Sequence, residues 1–226
     1  MLTISLISQK GGSGKTTLAR SLAIAFERNG QSTAIIDMDP QASAALWGKR
    51  RESKQPEVIP TVLPLLADVL KAASESVDVV LIDTPPKSAD VAIAAAKAAD
   101  IIIIPCRPQI DDIETLPGTK QMLDVAGRKP TFVVLNSVPP SAARIQEARD
   151  TISGHPDAPL PVCPVTFGHR AAFGDSSVIG QTPQEYEPSG KASEEIDKIH
   201  KYICEIVRKL RSEQNGKTKH SRSRRA

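Results

Sequence analysis

Aromatic residues and cysteines are scarce in this chain. Phe, Trp and Tyr together make up 3% of the 226 residues, which argues against a protein that stacks nucleic-acid bases on an aromatic surface. The three cysteines, Cys106, Cys163 and Cys204, lie far apart and lack the CxxC or CxxH spacing of a zinc site. We therefore expect neither a zinc site nor a disulfide framework, but unpaired thiols in a reducing compartment.

Long hydrophobic runs are also missing. No stretch of the sequence approaches the roughly 20 consecutive apolar residues that a transmembrane helix needs. The first residues lack the cationic segment and apolar run of a secretory signal. A chain of 226 residues is long enough to bury a core without disulfides or a metal. We therefore expect a cytoplasmic protein without a transmembrane helix. Because residues 217–226 carry no large apolar side chain that could enter lipid, we also expect no membrane partner.

Positive charge is concentrated at the C-terminus. From Arg208 onward there are eight lysines and arginines and one glutamate, a net charge of +7, whereas the whole chain carries only +3. We predict one domain over residues 1–212 and a basic, disordered tail over residues 213–226. Such a tail indicates a polyanionic partner, either nucleic acid or a membrane surface. The candidate DNA-binding residues are Arg208, Lys209, Arg211, Lys217, Lys219, Arg222, Arg224 and Arg225.

Buried strands alternate with helices along most of the chain. A short apolar run over Leu2–Ser8 precedes a glycine-rich turn and an amphipathic pattern over Lys15–Arg28. Repetition of this unit predicts an α/β fold with a doubly wound, mostly parallel sheet and helices on both faces. Later segments are predicted as a helix over Ile113–Ala126, a last strand over Pro161–Thr166 and a long helix over Ser193–Arg211.

A phosphate-binding loop lies between the first strand and the first helix. Glycines in such a loop let backbone N–H groups approach phosphate oxygens, and the helix N-terminus attracts the anion. The lysine reaches the β- and γ-phosphates, and the following hydroxyl is a ligand for Mg²⁺. The candidate nucleotide-binding residues are Lys10, Gly11, Gly12, Ser13, Gly14, Lys15, Thr16 and Thr17. The alternative, a glycine-rich turn that binds nothing, does not explain the carboxylates downstream.

Three aspartates follow apolar strands. Asp37 and Asp39 have the two-residue spacing that places them on the same side of a strand, at the sheet edge where ligands bind. Asp83 follows four apolar residues, and a carboxylate in that place can hold Mg²⁺ through water. Simple capping of turns is the alternative role for all three carboxylates.

The phosphate loop departs from the common pattern because Gln9 replaces its first glycine and a second lysine, Lys10, follows. This form resembles the deviant Walker A motif of the ParA/MinD superfamily of P-loop ATPases, and the segment Asp37–Gln41 resembles that family's second signature. The resemblance implies that Lys10 acts in trans on the nucleotide of a partner subunit. It further implies that Asp39 orients the attacking water, and that Thr16, Asp37 and Asp83 serve Mg²⁺. Lys10, Lys15 and Asp39 are then the candidate catalytic residues.

Two later residues are candidates for the nucleotide base. Asn136 ends a strand at the ligand edge, where its amide either reads the base or caps a loop. Pro164 is expected to line the adenine pocket. Arg170 follows that segment, and structural, dimer-forming and DNA-facing roles all remain open for it. The segment Gly48–Arg51 is either a DNA or adaptor surface or an ordinary loop.

The resemblance is strongest to the small ParA-type plasmid partition ATPases. The chain begins at its first strand, so we expect no preceding helix-turn-helix domain. The implied function is ATP-dependent formation of a homodimer that binds nonspecific DNA on the nucleoid. A centromere-binding adaptor, of ParB-like or ribbon-helix-helix type, would then stimulate hydrolysis. A MinD-like membrane cycle and the positioning of a cargo other than DNA are the alternatives.

Overall fold

Seven parallel strands form a single sheet at the centre of the molecule. The computed structural model describes the backbone of residues 1–223 and the side chains of residues 1–213. The strand order is β3-β2-β4-β1-β5-β6-β7. The strands are β1 (Leu2–Leu6), β2 (Thr33–Asp37), β3 (Glu57–Pro60), β4 (Val79–Asp83), β5 (Ile101–Cys106), β6 (Thr131–Val138) and β7 (Phe167–Gly168).

Ten helices cover the two faces of this sheet within the described part of the chain. One face carries α1 (Lys15–Arg28), α2 (Ser43–Arg50), α8 (Ala171–Val178), α9 (Pro183–Tyr186) and α10 (Lys191–Ser223). The other carries α3 (Leu66–Ala73), α4 (Ala89–Ala98), α5 (Ile110–Ile113), α6 (Leu116–Val125) and α7 (Ala142–Ser153). The doubly wound α/β fold predicted from the sequence is therefore confirmed.

The central strands are apolar along their whole length because both of their faces are covered. In β5, Ile101 and Ile103 pack in the core beneath α1 and α10, whereas Ile102 and Ile104 pack in the core beneath α4 and α6. Successive side chains of a strand point to opposite faces, so continuous apolar runs are required here. Among the described residues, no helix is both long and apolar enough to cross a lipid bilayer.

Several predicted boundaries differ from the structure. The last strand is Phe167–Gly168 rather than Pro161–Thr166, and only Val162 of the predicted segment forms a bridge, with Val133. Proline-rich backbone explains the shift, because Pro161 and Pro164 cannot donate to a ladder. The predicted helix Ile113–Ala126 corresponds to α6, Leu116–Val125, with Pro117 in its first turn, and Ile113 instead ends the short helix α5.

The C-terminal helix is longer than predicted. Helix α10 begins at Lys191 and continues to Ser223, so the backbone of residues 213–223, expected to be disordered, is helical in the structure. The division into a domain and a tail near residue 213 stays a prediction. Residues 224–226 lie outside the described residues.

Candidate functional site

The phosphate loop joins the carboxyl end of β1 to α1. Two of its glycines need a backbone conformation that other residues rarely adopt, with φ of +70° at Gly12 and +97° at Gly14. Gly14 is the residue immediately before α1, and no side chain caps this helix. The free N–H groups of the first turn therefore point toward the loop, an arrangement suited to binding a phosphate.

Lys15 lies buried at the base of the loop. Its Nζ donates to the carbonyl oxygen of Ser8 at 3.2 Å and to that of Lys10 at 3.4 Å. Burial lowers the pKa of Lys15, and the negative charges of Asp83 and Asp39 partly offset this effect. The ammonium group therefore holds the two ends of the loop together, close to two carboxylates.

Asp83 is a completely buried carboxylate without a hydrogen-bond partner among the residues whose side chains are described. It ends β4 and lies in register with Leu6 of β1 and Asp37 of β2. Neither of its oxygens has a hydrogen-bond partner among the described residues, and the hydroxyl of Ser13 is likewise unsatisfied. Burial raises the pKa of Asp83 to about 7, a rise that the neighbouring Thr16 hydroxyl and Lys15 ammonium limit. Unsatisfied oxygen atoms of this kind fit the waters around Mg²⁺, which keeps several of its water ligands when it binds to proteins.

Asp37 and Asp39 make the local hydrogen bonds of capping residues. Asp37 accepts from the backbone N–H of Asp39 at 3.1 Å and of Ala45, in the first turn of α2, at 2.9 Å. Asp39 accepts from the backbone N–H of Gln41 at 2.9 Å. Burial raises the pKa of Asp37, and these backbone donors oppose the rise. Because a carboxylate has about four acceptor sites, these bonds do not prevent either residue from holding a water molecule.

Asn136 contacts the phosphate loop directly. Its Nδ2 donates to the carbonyl oxygen of Ser13 at 2.6 Å. A Cβ at Gly14 would lie 2.0 Å from the same Nδ2, so glycine is required there for space as well as for φ. Ser137 follows in a left-handed conformation with φ of +52°, and its hydroxyl lies 3.1 Å from Nδ1 of His169. The carboxyl end of β6 is therefore fixed against the loop.

An open cleft of about 580 Å³ extends from the phosphate loop along this edge. It is lined by Gly12, Gly14, Thr17, Arg107, Asn136, Ser137, Phe167, Gly168, His169, Arg170, Ala171, Phe173, Gly174 and Asp175. We call it the nucleotide cleft. The structure does not place Pro164 in it, because β7 begins three residues later and the carbonyl of Pro164 is bound instead by Arg149.

Lys10 and Arg170 differ in how firmly they are held. Lys10 is partly exposed, and its side chain makes no hydrogen bond or ion pair to any residue whose side chain is described. Arg170 forms an ion pair with Glu195 of α10, with its Nε 2.9 Å from the carboxylate, and the same carboxylate accepts from the N–H of Gly168. This geometry supports the structural role for Arg170 among the three left open.

Within the part of α10 whose side chains are described, the cluster of Arg208, Lys209 and Arg211 lies near the amino edge of the sheet, opposite the edge that carries the phosphate loop. Arg211 lines a pocket with Met1, Asp100 and Lys129, which precede or begin strands at the amino edge of the sheet. Arg208, Lys209 and Arg211 are exposed there. The side chains of Lys217, Lys219 and Arg222 are not described, and Arg224 and Arg225 lie outside the described residues. The structure therefore does not bring the described side chains of this set, Arg208, Lys209 and Arg211, to the nucleotide cleft.

The segment Gly48–Arg51 divides into an exposed part and a fixed part. Arg51 pairs with Glu185 at 2.8 Å and lies 4.6 Å from the centre of the Trp47 ring. Its side chain is only 4% exposed, so it is structural. Lys49 and Arg50 are exposed and remain available for contacts.

Comparison with known proteins identifies the family. Residues 4–167 match the model of the CobQ/CobB/MinD/ParA nucleotide binding domain. The chain therefore belongs to this family, and with it to the ParA/MinD superfamily of ATPases that its phosphate loop resembles.

One curated relative spans nearly the whole chain. The protein named maintenance of carboxysome distribution protein A from Halothiobacillus neapolitanus is 27% identical over 219 residues, covering 91% of this chain and 96% of that protein. Another match, 49% identical over 41 residues, covers 16% of an uncharacterized protein of Methanocaldococcus jannaschii.

Solved structures show the same fold. MinD of Pyrococcus horikoshii OT3, complexed with Mg-ADP, has a TM-score of 0.70 and 21% identity, and covers 91% of this chain and 97% of its own. A protein described as a plasmid partition protein of Borrelia burgdorferi B31, bound to AMPPNP, has a TM-score of 0.68 and 19% identity. Its match covers 91% of this chain and 99% of the Borrelia chain.

Some residues of the site escape sequence reasoning. Arg107, Ser137 and His169 line the nucleotide cleft. Arg107 lies in a segment, residues 101–108, that resembles a family segment, whereas Ser137 and His169 stand in no recognisable motif. Arg107 directly follows β5, Ser137 lies within the end of β6, and His169 follows β7. Because ligands bind at the carboxyl ends of parallel strands, these positions are the signal that could have located the three residues.

Proposed function

We propose that this chain is a Mg²⁺-dependent ATPase that forms an ATP-bound homodimer and partitions plasmid or chromosomal DNA. The observation that carries the ATPase part is the meeting of a phosphate loop with the buried, unpaired carboxylate of Asp83. In the proposal, Thr16, Asp37 and Asp83 hold the metal and its waters. When bound, Mg²⁺ neutralises charge on the β- and γ-phosphate oxygens.

The chain's own residues have separate tasks in this mechanism. The loop from Lys10 to Thr17 binds the phosphates through its backbone N–H groups and Lys15. Asp39 orients the attacking water, and Lys10 extends to the nucleotide of the facing subunit, where it stabilises charge on the transferred phosphoryl group. Support for the task of Lys10 comes from its partly exposed side chain, which is free of described contacts at the mouth of the loop.

We propose that Asn136 contributes to nucleotide binding in two ways: it holds the phosphate loop in place, and it contacts the base. Its Nδ2 is engaged with Ser13, which leaves Oδ1 as the acceptor for a donor on the base. In place of Pro164, we propose that His169 and the neighbouring backbone line the base pocket, because they border the nucleotide cleft.

Partition of DNA is the more specific part of the proposed function and goes beyond ATP hydrolysis. In it, the ATP dimer binds nonspecific DNA through the exposed cations of α10 and the basic tail, and a centromere-binding adaptor stimulates hydrolysis. DNA binding by phosphate contacts predicts that log K falls by about 0.9 per contact against log salt. Truncation after residue 213 should lower that slope, and an unchanged slope would remove the tail from the DNA interface.

A second candidate is the positioning of a cargo other than DNA. The full-length similarity to a carboxysome distribution protein favours it. Both candidates share the ATP-dependent dimer and its binding to nonspecific DNA, and they differ in the adaptor. Adaptor-stimulated hydrolysis therefore decides between them: a partner that binds a specific DNA site supports partition, whereas a partner that binds a protein assembly supports the alternative.

Hydrolysis itself is tested by release of phosphate from ATP with and without EDTA. Wild-type protein should be active only with free Mg²⁺, and Lys15→Ala should be inactive. Activity that survives EDTA would contradict the assignment of Asp83 to the metal.

A further inference from the structure

A second cleft, of about 590 Å³, adjoins the nucleotide cleft on the α1 side. Thr17, Phe173 and Gly174 line both clefts and so form the wall between them. The other lining residues of the second cleft are Arg20, Arg50, Ser177 and Val178. We call it the arginine cleft.

Two guanidinium groups meet at one residue in the arginine cleft. Arg20 donates to the hydroxyl of Ser177 at 3.0 Å, and Nε of Arg50 donates to the carbonyl oxygen of the same residue at 3.2 Å. Neither arginine has a carboxylate partner among the residues whose side chains are described. Each guanidinium has five N–H donors, so most of their hydrogen-bonding capacity is unused by the protein.

The surroundings of Arg20 make an anion favourable there. Its side chain is largely buried beside the Trp47 ring, 5.7 Å from the ring centre. Burial lowers the pKa of Arg20 to about 10; the charge of Arg50 adds to this effect, and the carboxylates of Asp83 and Asp37 oppose it. The neighbouring Arg51 is also buried, and the charge of its guanidinium group is neutralised by an ion pair with Glu185. Arg20 and Arg50 form no direct ion pair with a described carboxylate, although the charges of Asp83 and Asp37 act on Arg20 from a distance. A bound anion would occupy the N–H donors that the two guanidinium groups leave unused.

Exposed apolar side chains lie beside the two arginines. Val178 is 73% exposed at the cleft, and Ile179, the next residue, is 52% exposed. Leu46 is 49% exposed and lies one helical turn before Arg50, on the same face of α2. Exposed apolar side chains beside paired arginines match a protein segment better than a DNA backbone, which presents phosphates without apolar groups.

The walls of the arginine cleft are held in place. Gly180, with φ of +72°, packs so closely on the end of α2 that a Cβ there would lie 2.5 Å from the backbone carbon of Arg50. Its carbonyl oxygen also accepts from Arg51 at 2.9 Å. The turn after α8 is therefore fixed against α2, and the cleft is preformed.

We propose that the arginine cleft binds a partner protein through an acidic side chain that adjoins a bulky apolar residue. The carboxylate lies between Arg20 and Arg50, and the apolar side chain packs on Val178. Arg20 also donates from Nε to the carbonyl oxygen of Thr16 at 3.3 Å, within the first turn of α1. A segment bound here therefore contacts the helix that carries the phosphate loop. An effect of the bound segment on ATP hydrolysis rests on the proposed ATPase function, whereas the binding of the segment does not.

A selection from a random peptide library displayed on phage, against the full chain, tests the proposal without a known partner. Selected peptides are then measured by fluorescence anisotropy against wild type, Arg50→Gln, Val178→Ser and Lys49→Gln. Lys49 is the matched control, because it is an exposed cation next to Arg50 that does not line the cleft. Thermal melting and ATP binding of each variant show whether it is folded.

The expected peptides contain Asp or Glu next to a bulky apolar residue. Arg50→Gln should weaken them by about tenfold or more, since a hydrogen bond between charged groups is lost, and Val178→Ser should weaken them several-fold. Lys49→Gln should leave their affinity unchanged. Recovery of no acidic peptide, or equal binding by wild type and Arg50→Gln, would overturn the proposal.

Binding of a DNA duplex of about 30 base pairs is measured with the same variants, to test whether the cleft binds nucleic acid instead of a protein segment. If Arg50→Gln weakens duplex binding while the selected peptides are unaffected, the arginine cleft is a nucleic-acid contact and the proposal is wrong. Failure of the wild type to bind ATP would refute the proposed ATPase function and leave the peptide result standing, so the two failures are distinguishable.

Discussion

Replacing Asp83 by asparagine removes a buried carboxylate whose oxygens have no hydrogen-bond partner among the described residues. Burial raises the pKa of this group from 3.8 to about 7. At about 1.36 kcal/mol per pKa unit, ionisation of the folded protein at high pH costs up to roughly 4 kcal/mol. An asparagine of similar shape carries no charge, although its amide also lacks a partner. We therefore expect Asp83→Asn to stabilise the nucleotide-free protein by about 2–3 kcal/mol at pH 8.

The sign of the pH dependence follows from the direction of the shift. Between the unfolded pKa and the folded pKa, the native state binds more protons than the unfolded state. This group therefore makes the protein less stable as pH rises from about 4 to about 7. The stability advantage of Asp83→Asn should be small at pH 5 and largest at pH 7 and above.

Thermal melting without nucleotide, from pH 5 to pH 8, measures this difference. At about 2–4 °C per kcal/mol for a domain of this size, Asp83→Asn should melt roughly 4–12 °C above wild type at pH 8. Mg²⁺ and ATP should reverse the order, because ligand binding stabilises only the protein that binds it. Equal melting temperatures at all pH values, or the same gain from Mg-ATP in both proteins, would refute the reasoning.

Four further substitutions test the phosphate loop and the neighbouring Asp39. Lys15→Ala should lower ATP affinity by about two orders of magnitude in calorimetry, since a charged donor to the phosphates is lost. Lys10→Ala should bind ATP normally in calorimetry yet lose hydrolysis in a phosphate-release assay, and rapid hydrolysis by its monomer would exclude action in trans. Asp39→Ala should bind ATP without turning it over, with the complex detected by gel filtration. Gly14→Ala should lower the free energy of unfolding by at least about 1–2 kcal/mol and abolish ATP binding, and adding Asn136→Ala should restore part of the stability by removing the clash.

The sequence was sufficient to predict the sheet and the edge that carries the site. Continuous apolar runs followed by Asp37 or Asp83 place both carboxylates at the carboxyl ends of parallel strands, and the register of β2 and β4 brings the two residues opposite one another. The left-handed glycines of the phosphate loop also follow from the motif. These features are local in sequence, so periodicity and spacing are enough to find them.

Long-range contacts could not be predicted in the same way. The bond from Asn136 to Ser13 spans 123 residues, and the pairing of Arg51 with Glu185 spans 134. The sequence analysis also missed short segments. The two-residue strand β7, for example, lies after the predicted segment because that segment contains prolines. A signal for α9 was present, because Thr182 and Glu185 have the spacing of a capping box around Pro183, and the structure contains that box.

The central claim is an ATP-dependent dimer that binds DNA. The most direct test is the molecular mass of Asp39→Ala by light scattering, with ATP, with ADP and without nucleotide, each with and without a duplex of unrelated sequence. The account predicts monomers with ADP or without nucleotide, and dimers with ATP that bind the duplex and release it in raised salt. Dimers that ignore DNA and bind anionic liposomes, or a mass that does not change with ATP, would contradict it.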